Sequence, residues 1–188
     1  MPETRAPIAL QGISLAELQQ AIDERRLPPV DQWQPKHCGD SKMRIARDGT
    51  WFHRGTAITR PAMVRLFSTV LRREADGSHV LVTPVEKLAI DVEATAFRAV
   101  DMRIEGDGER RRIAFSLDSG DAVMLDSDHP LTVVVGKDGP SPRLLVRHGL
   151  EAELTRPLYY ELAEIALAEG RDPPGVWSNG TFFALDPQ

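Results

Sequence analysis

The chain has 188 residues, 41% of them hydrophobic, enough for one large domain or two small ones with a real core. A net charge of −5 argues against coating nucleic acid or an anionic membrane, and no apolar run approaches the length of a membrane span. The single cysteine, Cys38, excludes an internal disulfide and suits a reducing compartment. Residues 1–10 lack the charged and apolar regions of a signal peptide, so a cytoplasmic protein is expected.

Residues 1–13 read as a loose tail. Ser14-Leu15-Ala16-Glu17 is a capping box that opens a helix to about Arg26, with Leu15, Leu18 and Ile22 on one face. Pro28-Pro29 ends it, and a polar linker follows. Met43 and Ile45 alternate with Lys42 and Arg44, as in a half-buried strand. Asp48-Gly49 turns the chain into a second strand, Thr50 to Arg54. Pro61 to Arg72 is expected to be a helix with Met63, Phe67, Val70 and Leu71 as its apolar stripe. Strands are expected at 80–82, 90–92, 97–104, 113–117, 122–125, 131–135, 143–146 and 151–154. A helix over 157–169 follows, and Asn179-Gly180 turns into a last strand at 181–185.

Two stretches echo each other. Arg44-Ile45-Ala46-Arg47-Asp48-Gly49 returns as Leu144-Leu145-Val146-Arg147-His148-Gly149, and Ile58-Thr59-Arg60-Pro61 as Leu154-Thr155-Arg156-Pro157. Self-similarity at long period points to two copies of one supersecondary unit. The expected fold is α+β: two tandem strand–turn–strand–helix–strand units with mostly antiparallel sheet. The expected divisions are an N-terminal tail and helix over 1–36, a first unit over 37–105 and a second over 106–188. The two helices are expected to occupy equivalent places beside equivalent hairpins.

Arg60 and Arg156 each precede a proline at a helix start, where a cation opposes the helix dipole. A bound anion would reverse that effect, and so would a neighbouring carboxylate. Between Lys42 and Glu74 lie eight Lys or Arg residues, Arg65 among them, and two acids, a basic unit within an acidic chain. Trp51 and His53 share one face of their strand and could stack on a ligand, or Trp51 could serve the core. Glu86 and Lys87 end a strand as either a polar contact or a surface ion pair. His37, Cys38 and His53 lack the spacing of a zinc site, and Cys38 reads as a small buried residue. Asp118-Ser119-Gly120-Asp121 and Asp126-Ser127-Asp128-His129 read as turns rather than as cation loops. No phosphate loop, dinucleotide fingerprint, nucleophile elbow or zinc-protease motif occurs, so no catalytic residue, metal or cofactor is expected.

The segments Cys38-Gly39-Asp40, Asp48 to Gly55, Leu81-Val82-Thr83-Pro84-Val85-Glu86-Lys87 and Trp177-Ser178-Asn179-Gly180-Thr181-Phe182-Phe183 appear in an order that resembles a bacterial family. It is domain-of-unknown-function family 1285, and the resemblance runs from about Leu15 to the C-terminus. The resemblance implies a duplicated core and a C-terminal half like a pleckstrin-homology domain. It also implies a site for a nucleotide-like ligand between the halves and a role in signalling, with no established activity. The candidate ligand-binding residues are Trp51, His53, Arg60, Arg65, Glu86, Lys87, Arg156 and Trp177. A small anionic ligand and a protein partner are the expected partners; nucleic acid and membrane are not. The competing reading is a small hydrolase of phosphorylated metabolites using Asp48, His53 or Glu86, or else a protein-binding scaffold.

Overall fold

Ser14 starts the first helix as the capping box requires. A computed structural model describes residues 6–187. In it the Glu17 backbone N–H donates to the Ser14 hydroxyl at 3.2 Å, and the Ser14 N–H donates to the Glu17 carboxylate at 2.7 Å. Helix α1 runs Leu15–Asp23, shorter than expected, and buries Leu15 and Leu18. These join Leu10, Ala114, Ala122 and Met124 in a satellite core. Residues 6–13 are therefore not loose, whereas the first five residues of that expected tail lie outside the described ones. Leu10 is buried, the Ile8 N–H donates to the Gly120 carbonyl at 2.8 Å, and the Arg103 guanidinium donates to the Leu10 carbonyl at 2.6 Å. An apolar segment without partners would leave Ile8, Leu10 and Ile13 in water; the second sheet covers them.

The first sheet contains β1 (His37–Ile45), β2 (Trp51–His53), β3 (Thr56–Ala57), β4 (Leu71–Arg73), β5 (His79–Val82) and β6 (Glu86–Val92). Helix α2 (Pro61–Thr69) lies between β3 and β4. The second sheet contains β7 (Phe97–Glu105), β8 (Arg112–Leu117), β9 (Ala122–Met124), β10 (Leu131–Gly136), β11 (Gly139–Arg147) and β12 (Leu150–Leu154). Helix α3 (Arg156–Glu169) and the hairpin β13 (Gly175–Ser178) and β14 (Thr181–Ala184) follow. The strand orders are β3-β2-β1-β6-β5-β4 and β10-β11-β12-β7-β8-β9. In each sheet the first and last strands lie side by side and parallel at the centre, and every other pairing is antiparallel. The two orders are the same path through space, so the halves are repeats.

Both strand–turn–strand–helix–strand units are present, one running through β1, β2, α2 and β4, the other through β11, β12, α3 and β13. They do not occupy equivalent places. The Arg47–Gly49 turn joins the first two strands of its sheet, and the Arg147–Gly149 turn joins the last two of the other. The echoed residues share a local task, a tight turn and then a helix start with proline in its first turn, and such tasks recur anywhere in a sheet. The sheets change over within residues 93–96, so the division expected after residue 105 falls between β7 and β8.

Helix α2 ends at Thr69 rather than Arg72, because Leu71 to Arg73 pair with β5. Its inward face also differs from the expected stripe: Met63 is exposed, while Val64 and Phe67 pack on the core. Leu71 is fully buried, but as a strand residue. In α3 Leu162 is buried and Ile165 packs against the core. Gly170, with φ +62, ends α3 in a left-handed cap. One apolar core joins both sheets, from Ile45, Trp51 and Leu71 to Phe97, Phe115, Leu144 and Leu162.

Candidate functional site: a basic cleft between the halves

The structure disperses the eight residues picked from the sequence. Trp51 is 3% exposed and stacks on Phe67 with ring centroids 6.4 Å apart, so its face belongs to the core and is closed to a ligand. His53 is exposed at the end of β2, opposite Met43 and Thr56. Arg60 is the exposed N-cap of α2 and its side chain makes no cap hydrogen bond. Arg65 is half-buried, packs its stem near Gly120, and leaves its Nε buried without a partner. Glu86 and Lys87 open β6, and Lys87 Nζ sits 3.4 Å from Glu74, which also pairs with Arg72 at 2.7 Å. Trp177 is half-buried on β13 beneath the Arg171 guanidinium, 5.3 Å away, in a separate hollow with Arg111 and Glu169. Cys38 is exposed rather than buried, because its end of β1 extends past β2 and pairs only with β6.

Arg156 alone of the eight lines the cleft between the halves. The cleft has a volume of about 460 Å³. The β1–β2 turn contributes Arg47 and Asp48, β7 contributes Arg98, and the β10–β11 hairpin contributes Lys137, Asp138 and Ser141. Arg143 of β11, Glu153 of β12 and Arg156 of α3 complete it. Arg47, Arg98, Lys137, Arg143 and Arg156 thus face three carboxylates, which leaves an excess of positive charge.

Two of the three carboxylates already have donors. Glu153 accepts from the Ser141 hydroxyl at 2.7 Å, and Asp48 accepts from the Thr50 N–H at 2.9 Å. That backbone hydrogen bond holds the Asp48 carboxyl below its ordinary range. The cations are less well served. Arg98 reaches the Arg47 carbonyl at 3.5 Å, and Arg143 reaches the Ser141 hydroxyl at 3.3 Å and Glu151 at 3.4 Å, all long contacts. Helix α3 opens onto the same space. Its N-cap, Thr155, makes no side-chain cap, so the N–H groups of the first turn add partial positive charge beside Arg156.

Asp118 stands behind Arg98. Its carboxylate accepts from the Arg98 N–H at 3.0 Å, and its own N–H donates to the Arg98 carbonyl at 2.9 Å. Burial pushes its carboxyl up to about 6, against the pull of Arg98. The residue as a whole is exposed, so solvent screens the shift and makes its effect on stability small. Folded Asp118 therefore holds its proton to higher pH than the unfolded chain, whose carboxyl titrates near 3.8. Stability should fall as pH rises from about 4 to about 6, then level off. Urea denaturation across that range should show the slope, and Asp118→Asn should flatten it.

Gly49 is needed where the first half meets Asp118. Its φ is +88, and a Cβ there would lie 2.6 Å from Asp118 Oδ2 and 3.1 Å from Arg98 Cδ. Gly49→Ala should destabilise by at least about 1–2 kcal/mol from the left-handed backbone alone. Thermal melting of the variant measures this.

Sequence reasoning overlooked most of this site. In the sequence Asp118 reads as a turn residue, and nothing local marks Arg98, Lys137 or Asp138. Arg47 stands out in the sequence only through the echo and as one of the eight basic residues of the first unit. They meet because β7 runs beside β12 and under the β1–β2 turn.

Two six-stranded sheets of one topology, with a shared core and a basic cleft at their junction, define a duplicated α+β protein. "Domain of unknown function (DUF1285), N-terminal domain" matches residues 28–95, and "Protein of unknown function (DUF1285), C-terminal domain" matches residues 96–185. The chain belongs to the DUF1285 family. A crystal structure of a DUF1285 family protein from Silicibacter pomeroyi is 42% identical, covering 92% of this chain and 94% of that one, with a TM-score of 0.80. One from Shewanella baltica is 24% identical, covering 65% of this chain and 91% of that one, with a TM-score of 0.52, and shows the fold alone. None of the curated proteins matches the chain.

Proposed function

We propose that this protein is a non-enzymatic binding or signalling module of the cytoplasm that takes a small anionic, nucleotide-like ligand in the cleft between its halves. The carrying observation is the set Arg47, Arg98, Lys137 and Arg156, drawn from both halves around one open space. Guanidiniums favour bidentate contact with phosphate or carboxylate, and a helix N-terminus favours the same charge. Because the first half supplies Arg47 and the second the rest, a ligand there would fasten the halves together. No helix is long and apolar enough to cross a membrane among the described residues, which fits this reading.

A thermal-shift screen against nucleotides and phosphorylated metabolites tests it, because a ligand of the folded state raises the melting temperature. No shift with any anion would end the proposal. A hydrolase of phosphorylated metabolites is the second reading. It draws support from Asp118, a carboxyl pushed up to about 6 beside the cleft's Arg98, where it could exchange a proton near neutral pH. Release of phosphate from a hit in that screen separates the two readings.

A further inference from the structure

A second cavity lies between α1 and the second sheet and shares no residue with the cleft. Its volume is about 190 Å³, and Ile8, Ile22, Leu27, Val123, Met124 and Val146 form its apolar walls. An apolar cavity of roughly 150 Å³ holds a benzene-sized molecule, so this one has room for about six to nine non-hydrogen atoms.

Its charged lining is uneven. Arg25 Nη1 lies 2.8 Å from Asp121 Oδ1, and Arg147 Nη1 lies 3.8 Å from Asp121 Oδ2. All three side chains are 13% exposed. Two guanidiniums thus share one carboxylate, away from water. Arg147 also donates to the Ser68 carbonyl at 2.8 Å and lies 5.0 Å over the Phe97 ring, but neither partner carries a neutralising charge. Burial, with Arg25 alongside, weakens the hold of Arg147 on its proton, although Asp121 opposes this. At the other end of β9, Asp126 accepts from the N–H groups of Asp128 and His129 at 3.0 and 2.9 Å and meets the His129 ring at 2.9 Å. That end is satisfied internally, whereas the arginine end holds one positive charge in excess. A sheltered charge without a counter-charge is unfavourable, and an anion with an apolar body would supply one while filling the space.

We propose that this cavity binds a short aliphatic carboxylate. Its carboxylate meets Arg25 and Arg147, and its chain lies along Ile22, Val123 and Met124. Since α1 supplies one wall and the second sheet the other, the ligand holds α1 down. Helix α1 precedes the residues that match the family models, 28–185, while the wall from the second sheet lies within them.

Calorimetric titration of the full chain with hexanoate tests the proposal, with hexylamine and 1-hexanol as controls of equal chain length. Hexanoate should bind saturably and the two controls should not. Arg25→Gln should weaken hexanoate at least tenfold. Arg25 also donates to the Ala6 and Gly120 carbonyls at 3.2 and 3.3 Å, and Arg147 to the Ser68 carbonyl in the last turn of α2, so the melting temperature of the variant is compared with that of the parent. Ile22→Trp fills the cavity without touching a charge and should abolish binding. Amide hydrogen exchange in α1 should slow when hexanoate is present. Absence of saturable hexanoate binding, equal binding of hexanol, or unchanged affinity in both variants overturns the assignment. The cleft reading is untouched by any of these results, because its ligand and its residues are separate.

Discussion

Replacing Phe97 with alanine is expected to remove about 3–5 kcal/mol of stability, the range for truncating a buried phenylalanine. Phe97 is 1% exposed at the start of β7, opposite Ala152 of β12, where the two parallel strands form the centre of their sheet. It belongs to the core that joins both halves, and the Arg147 guanidinium lies over its ring. Truncation would open a cavity and take one of the few partners of a sheltered cation. For a chain of this size the loss corresponds to a fall in melting temperature of about 10 °C. Natural domains are stable by only about 5–15 kcal/mol, so the variant should be marginal. Phe67→Ala is the control. Phe67 is only partly buried beside Trp51, so its loss should cost less. Equal effects of the two, or a Phe97 variant that melts like the parent, would show that the halves do not share one core.

What could be read from the sequence was local. The Ser14–Glu17 box lies within one turn, and both of its hydrogen bonds form. Asp48-Gly49 and Asn179-Gly180 turn where expected, with each glycine at positive φ. That the chain is duplicated was legible, although the echoed stretches that suggested it lie at different places in the two sheets. The frame of the repeat was not, because strand order is a non-local property: β1 pairs with β6 across residues 46–85, and no short window of sequence carries that. The inward face of α2 was misjudged for a related reason. Periodicity offered Met63 together with Phe67, and packing against the rest of the fold turns Val64 inward in place of Met63. The site was the least legible. Arg156 stood out because a cation at a helix start needs an explanation. Arg47, Arg98 and Lys137 carry no such local signature and acquire meaning only when three separate segments converge.

Arg156 and Arg60 provide the sharpest test of that convergence, because their local chemistry is nearly identical. Each precedes a proline at a helix start, each is exposed, and neither helix has a side-chain N-cap. From sequence alone Arg60 was the stronger candidate, since it sits in the basic unit. The fold reverses that ranking: Arg156 lines the cleft with Arg47, Arg98 and Lys137, and Arg60 does not line it. Arg156→Ala should therefore weaken binding of the anion found in the screen by about 1.5–3 kcal/mol, the range for a hydrogen bond to a charged group. That is a loss of roughly 10-fold to 150-fold in affinity. Arg60→Ala should leave affinity unchanged. Both variants should melt close to the parent, because each removes an exposed cation from a position its helix dipole disfavours. Added salt should weaken the parent's binding through screening and should weaken that of the Arg156 variant less steeply. Calorimetric titration of parent and both variants at two salt concentrations measures all of this. If Arg60→Ala loses affinity and Arg156→Ala does not, the anion binds at α2, and the cleft between the halves is only a seam in the fold.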